Sequence, residues 1–390
     1  MIDAGHLQDA LRAHGLGAWV LYDFRGSNPV LWHVLDAEPP GTTRRLVLIV
    51  PAEGEPALLT SALDRHLVDG LGARLVVYRR WEELVGALEA RVRGAGRVAM
   101  EYSPGGALPA VSWADAGAVE LVRSTGVEVV SSAAVFQAVA AAWDERAERS
   151  HLEAVRHVLE VRDLALDAVR GGLGRIRERE VTDLILGAFA DRGLEVEGAP
   201  AVAVGEHSGD PHYEAQAGAD AVIEPDRVLL IDLWARVPGA RHVFGDVTWM
   251  SYTGPDPPAH LRAVFDAVAA GRDAALNAVE AAWADGRRLR GFEVDRACRK
   301  RIEAAGFGHG LVHRTGHSLG PGPRVHGLGA NLDDWETHDD RELVPGIGFT
   351  VEPGVYLPEF GVRLECDVHL HPDRGVVVTT PVQRDWTLLP

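Results

Sequence analysis

Cysteine is nearly absent: Cys298 and Cys366 are the only two in 390 residues. So few thiols, so far apart, make neither a disulfide framework nor a thiolate metal cage, and a reducing cytoplasm is the expected compartment. An excess of basic charge is missing as well. The chain carries 39 Lys and Arg against 57 Asp and Glu, a net charge of −18. This argues against nucleic acid and anionic membranes as partners, because phosphate binding rests on clustered cations. No apolar run reaches the roughly 18 residues of a membrane span. The opening MIDAGHLQDALRAHG has an acid at position three and no apolar stretch, so it reads as neither a secretory signal nor an anchor.

What is present is a chain able to bury a core, 46% hydrophobic and 25% charged. At roughly 150 residues per domain its length suggests two or three, and two is taken. In the first part, strands are expected at 18–22, 45–50, 74–78 and 98–101, with helices at 7–14, 63–71 and 81–92, an α/β alternation. An Ala-rich helix near Ala133 then passes through a charged junction into a long amphipathic helix ending at Gly171 and Gly172. The boundary is placed there, giving an N-terminal α/β domain over 1–143 and a second domain over 144–390. The second domain shows helices near 145–169, 178–192, 258–283 and 293–305. Its strands are expected at 201–204, 228–235 and 242–250, and within GFTVEP and GVRLECDVHL. Strands grouped with helices between them read as α+β.

Two hairpins concentrate acid. In VLLIDLWARVPGARHVFGDVTWM, folding symmetrically about Gly239 sets Asp232 opposite Asp246. In TVEPGVYLPEFGVRLECDV, folding between Pro358 and Glu359 sets Glu352 opposite Glu365. Arg363, Glu365 and Asp367 then share one face, with the structural Cys366 on the other. One acid pair alone reads as a solvated face. Two apposed pairs need cations or protonation, since like charges about 4 Å apart repel by roughly 4 kcal/mol at an effective dielectric near 20. Four carboxylates balance two divalent ions, and oxygen-rich ligation with a little imidazole suits Mn, Co, Fe or Zn.

Between the hairpins lies HRTGHSLGPGPRVHG, residues 313–327. Its glycines and prolines oppose a helix. Extended, His313 and His317 stand about 13 Å apart and cannot share one ion, and Gly316 favours His317 as the ligand. His212, in GEHSGDPHYEA, is a candidate for polarising a substrate, whereas His207, His309 and His338 read as loop or surface residues. Arg363 has two readings: a charge partner for the acids, or a bidentate receptor for a substrate carboxylate.

The ordered set Asp232, Asp246, His317, Glu352 and Glu365, in the contexts LLIDLWA, GDVTW, HRTGHSLG, TVEPGVY and GVRLECDV, resembles the pita-bread metallopeptidases. Within them it is most similar to the Xaa-Pro peptidases, the prolidases and Xaa-Pro aminopeptidases. The resemblance implies a creatinase-like N-terminal domain, a pita-bread catalytic domain and a homodimer. It also implies two divalent ions per subunit, manganese first and Zn, Co or Fe as alternatives. Asp232 would bind one ion and His317 the other, with Asp246, Glu352 and Glu365 bridging or shared. His212 and His326 would contact substrate or the tetrahedral intermediate, His313 would lie near the site without ligating, and Arg363 would anchor a terminal carboxylate. Glu352 would also move the proton of the attacking water. The substrate implied is a small peptide with proline at the second position, the activity that of an Xaa-Pro dipeptidase. An Xaa-Pro aminopeptidase, a metal-dependent lyase on the same fold and a non-catalytic binding module are the alternatives. The chain departs from the usual pattern in longer intervals from Asp232 to Asp246 and from His317 to His326. It also has Trp249 where many relatives have Arg and Gly327 where an acid is common.

Overall fold

The computed structural model describes residues 3–390, which divide into two compact units, one up to Ala140 and one from Ala141 to Pro390. In the first, helices α1 (Ala4–Ala13), α2 (Pro29–Leu35), α3 (Trp81–Val92), α4 (Ala116–Arg123) and α5 (Ala133–Ala140) accompany six strands. These are β1 (Ala18–Phe24), β2 (Arg45–Pro51), β3 (Ala57–Ser61), β4 (Arg74–Tyr78), β5 (Arg97–Met100) and β6 (Glu128–Ser131). They form one mixed sheet in the order β4-β3-β2-β1-β5-β6. Both faces of the central strands are buried, one under α1, α2 and α5 and the other under α3 and α4.

The helix expected at 63–71 is only a single 3₁₀ turn, Arg65–Leu67. Asp64, the residue before it, does not cap the turn: its carboxylate accepts the amides of Thr43 and Arg44 instead. Gly70 and Gly72 then take positive φ, which ends any helical continuation. Strands β3 and β6 and helices α2 and α4 were not anticipated from the sequence pattern.

The second unit begins with α6 (Glu145–Gly172) and α7 (Glu178–Asp191), which lie over strands β7 (Ala201–Val204), β8 (Val228–Ala235) and β9 (Gly245–Tyr252). Helices α8 (Ala259–Ala284) and α9 (Gly291–Ala304) follow, then β10 (Ser318–Leu319), β11 (Gly348–Val351), β12 (Gly354–Leu357) and β13 (Phe360–Arg363). The chain closes with β14 (Cys366–His371), β15 (Gly375–Val378) and β16 (Thr387–Leu388). The sheets run β16-β9-β8-β7 and β10-β11-β14-β15, with β12 and β13 as a separate pair. Leu276, Val294, Ile302, Phe349, Val362 and Cys366 belong to the core that α8 and α9 share with these strands. Helices segregated against mixed sheets make the α+β architecture that the element pattern predicts.

Within the first unit, Glu101 is fully buried at the end of β5. Its carboxylate accepts Trp19 Nε1 at 2.6 Å and Asn28 Nδ2 at 2.9 Å. Asn28 in turn caps α2 through Oδ1. Burial raises the Glu101 carboxyl from the ordinary 4.5 to about 7, against the pull of those hydrogen bonds. The folded state therefore holds this proton more tightly than the unfolded chain. The associated stability is complete below pH ~4.5 and is lost as the pH rises toward 7, about 3 kcal/mol in all. Urea unfolding of the full chain between pH 5 and 7.5 should show this loss in the wild type and its absence in Glu101→Gln. Parallel pH dependences for the two proteins would contradict the assignment.

Candidate metal centre

Strands β8 and β9 are antiparallel, but not in the register that symmetry about Gly239 requires. Asp232 pairs with Thr248 and Asp246 with Trp234, a displacement of two residues. Because side chains alternate with period two, the shift preserves the face. The two aspartates remain on one side of the sheet as diagonal neighbours rather than as a directly opposed pair. The link over residues 236–244 is not a tight turn. Arg236 donates through Nη1 to the carbonyls of Gly239 and Gly322, and that anchoring moves the centre of the hairpin off Gly239.

The second hairpin keeps the expected register. Val351 pairs with Cys366 in the β11–β14 ladder and Gly354 with Arg363 in the β12–β13 ladder. Both pairs carry the same offset, so Glu352 faces Glu365 across the gap between the ladders. Pro353, with no N–H to donate, is where the ladder breaks.

His317 is placed by this second hairpin. The Thr350 amide donates to His317 O (2.8 Å), the His317 amide to Thr350 Oγ1 (3.0 Å), and the Glu352 amide to Thr315 O (2.7 Å). Thr315 is fixed from the far side by Asp295 of α9, which accepts its amide and hydroxyl. Gly316 allows the approach: a Cβ there would lie 2.0 Å from Thr350 O. His317 Nδ1 donates to Ser318 O (3.1 Å), which leaves Nε2 facing Asp246 Oδ2 at 3.4 Å and Glu352 Oε1 at 3.5 Å. His313 points elsewhere. Its Nδ1 donates to Arg314 O (2.6 Å) and its Nε2 accepts from the Tyr356 hydroxyl (2.8 Å).

Asp246, His317 and Glu365, all buried, each bring one ligand atom within 4.8 Å of the other two. Asp232 and Glu352 flank this group. Thr248 Oγ1 lies 3.0 Å from Asp232 Oδ1 and 2.8 Å from Glu365 Oε2, and it accepts Arg363 Nε at 2.9 Å. Its single hydrogen can serve only one of the two carboxylates. Arg363 is buried, with Nη2 on Asp232 Oδ2 at 2.5 Å and Nη1 on the Tyr356 hydroxyl at 3.2 Å and Pro211 O at 3.5 Å. His212 and His326 lie outward, and the His326 ring is tilted by 42° against that of His317 with centroids 4.1 Å apart.

The electrostatics are those of acids crowded away from water. Burial raises Asp232 to about 6 despite Arg363, with Asp246 and Glu352 adding repulsion. Burial also raises Asp246 against the pull of His317. It lifts Glu365 well above the carboxylate range, reinforced by Asp246, Glu352 and Asp232. Glu352 moves the other way: the surrounding His317, His313 and Arg363 outweigh burial and lower it. For His317, burial is outweighed by the Asp246 hydrogen bond and the Glu352 charge, and its pKa rises. His326 falls to about 3, pushed down first by His317, then by burial and Arg314. An oxygen-rich donor set with one free imidazole nitrogen, in which crowding raises three of the four carboxyls, fits divalent first-row ions.

Several participants carried little signal in the sequence. Tyr356, which joins His313 to Arg363, was not singled out. Thr248 was not singled out either. His207, read as loop or surface, is half-buried with Nδ1 2.9 Å from the buried Glu178. Glu178 also accepts the Val204 and Ala221 amides and the Tyr213 hydroxyl, which ties down the segment that carries His212.

Metallopeptidase family M24 matches residues 143–372. Among curated proteins, the putative dipeptidase YkvY of Bacillus subtilis is 32% identical over 190 residues, covering 48% of this chain and 47% of that protein. The Xaa-Pro dipeptidase of Pyrococcus furiosus is 28% identical over 246 residues, 61% of this chain and 63% of that protein. The chain thus spans about half to under two-thirds of the length of these relatives. In fold, it is similar to the crystal structure of dipeptidase PepE from Mycobacterium ulcerans, at TM-score 0.70 and 20% identity, covering 99% of this chain and 97% of that one.

Gly316→Ala tests the local geometry. The new methyl must displace the Thr350 carbonyl, so a destabilisation of about 1–3 kcal/mol is expected, together with reduced uptake of divalent metal. Unfolding midpoints and metal analysis check it, and unchanged values in both would contradict the close approach.

Proposed function

Because the chain belongs to metallopeptidase family M24, we propose that it hydrolyses the Xaa-Pro bond of small peptides, dipeptides above all. The observation that carries this reading is the buried Asp246, His317 and Glu365 group flanked by Asp232 and Glu352. These five residues are assigned two divalent ions per subunit, manganese first. The name of the Pyrococcus furiosus relative supports the substrate class, and the dipeptidase name of the Bacillus subtilis relative supports the short substrate.

Bound divalent ions supply polarisation of the scissile carbonyl and a source of hydroxide at neutral pH. Everything else falls to the chain. Glu352, held ionised by His317, His313 and Arg363, is the group that takes the proton of the attacking water and delivers it to the leaving proline nitrogen. His212 and His326 stand at the exposed side. The His326 imidazole in its neutral form donates a hydrogen bond to the oxygen on which charge develops. His313, steered by Tyr356, lines the substrate side without reaching the ions. Arg363 is the buried counter-charge of Asp232. Its Nη1 edge, turned toward Tyr356 and the carbonyl preceding His212, is assigned the peptide's terminal carboxylate. An Xaa-Pro bond lacks an N–H, so a shaped pocket accepts it without an acceptor for the amide.

Residues 1–143 are taken as the N-terminal α/β domain and 144–390 as the catalytic domain. The protein is assigned to the cytoplasm, a compartment its scarce, buried cysteines suit. A homodimer is assigned from the family resemblance.

With manganese, the full chain should release amino acid from an Xaa-Pro dipeptide faster than from Xaa-Pro-Yaa, and a chelator should abolish both. Release from neither peptide would overturn the peptidase reading, and faster release from the longer peptide would overturn the dipeptidase assignment. Glu352→Gln should lower kcat by about 10²–10⁴-fold while retaining metal; preserved turnover would reject its proton-transfer role.

A further inference from the structure

The segment that enters β9 is gripped at four successive residues. Ser150 Oγ of α6 accepts the Val243 amide at 3.2 Å. His151, one residue on and wholly buried, meets Phe244 O through Nδ1 at 2.6 Å. A carbonyl only accepts, so Nδ1 carries the hydrogen and Nε2 accepts from the Thr379 hydroxyl at 2.7 Å. At Gly245 the backbone lies directly against α6: a Cβ would come within 2.7 Å of Val155 N. The Asp246 amide then donates to Asp367 Oδ2 of β14 at 3.0 Å.

Asp367 is itself 0% exposed, and its Oδ1 has no hydrogen-bond partner. His151 Nε2 lies 3.9 Å from Asp367 Oδ2, so the two grips adjoin. Burying a further acid behind four others is costly without a role. The irregular link over residues 236–244 supplies no ladder of its own to fix where β9 begins. The β8–β9 ladder sets the register of Asp246 against Trp234, and the contacts with α6 and Asp367 hold the other side of the strand, where it faces β14.

We propose that His151 and Asp367 are positioning residues for the metal centre, clamping Phe244 and Asp246 so that the Asp246 carboxylate meets its neighbours in ligating geometry. The inference rests on the metal-dependent reading above. Asp367 acts as a hydrogen-bond acceptor for the Asp246 amide, and His151 as a donor to the Phe244 carbonyl.

The test is metal affinity, measured by competing a chelator for manganese on the full-length protein, alongside kcat and KM at saturating metal. Asp367→Ala should weaken affinity about 10- to 100-fold, the range typical of lost outer partners of metal ligands, with KM unchanged. Asp367→Asn, which keeps an acceptor oxygen, should recover affinity to within a few-fold of wild type. His151→Gln, which keeps a donor, should be milder than His151→Ala. Should Asp367→Ala fail to fold, Asp367→Ser replaces it, with the same loss expected from its shorter side chain. Wild-type affinity in the Ala or Ser variant, or an Asn variant as impaired as Ala, overturns the clamp. A wild-type chain that takes up no metal removes the metallopeptidase reading and the clamp together. Wild-type uptake without Xaa-Pro hydrolysis removes the proposed substrate and leaves the clamp to be judged on affinity alone.

Discussion

Asp232, Asp246, Glu352, Glu365 and Asp367 are crowded into the interior of one domain, and the mutual repulsion of these acids is the constraint around which the second unit is built. At an effective dielectric near 20, each like-charged pair about 4 Å apart costs roughly 4 kcal/mol, a large fraction of the stability of an ordinary domain. In the metal-free chain the strain is relieved in three ways. Glu365 and Asp367 hold protons far more tightly than ordinary carboxyls. Arg363 neutralises Asp232. His317 is drawn toward its charged form by Asp246 and Glu352. Divalent ions held by these carboxylates and His317 would supply the same compensation at once, a role that a structural salt-bridge network does not explain.

Rigidity around the acids follows from the same constraint, because groups that repel must be held where they are. The HRTGH segment is pinned between Asp295 of α9 and the Thr350 to Glu352 edge of β11. The start of β9 is pinned between α6 and Asp367. The HRTGH segment and the start of β9, far apart in the chain, are thus fastened by two helices, α9 and α6, and two strands, β11 and β14. The ligands arrive on strands or strand-like segments whose backbone positions are already decided by packing.

How much of this was legible in the sequence depended on how local the determinant was. The Glu352 and Glu365 register could be found by counting, because the hairpin tip is short and Pro353 marks where the ladder stops. The Asp232 and Asp246 register was missed by two residues. There the connection is long, and it is anchored by Arg236 to Gly322, 86 positions away, a contact that no turn rule contains. The helix expected at 63–71 failed for a related reason: Asp64 serves the distant Thr43 and Arg44 amides instead of its own turn. Tyr356, Thr248 and His151 bear on the site only through partners brought by the fold, so their residue types alone gave no signal. That His317 rather than His313 stands beside Asp246 and Glu365 was legible, since Gly316 and its neighbours oppose a helix and keep the two imidazoles apart.

The central claim is that the buried acids are a divalent-cation centre, and the most direct measurement is a manganese titration of the metal-free full-length chain. It would be followed simultaneously by proton release and by thermal midpoint. The account predicts saturable binding, release of protons from the raised carboxyls as each ion enters, and a midpoint that climbs with metal concentration. Binding without proton release, or a midpoint indifferent to metal, would contradict it.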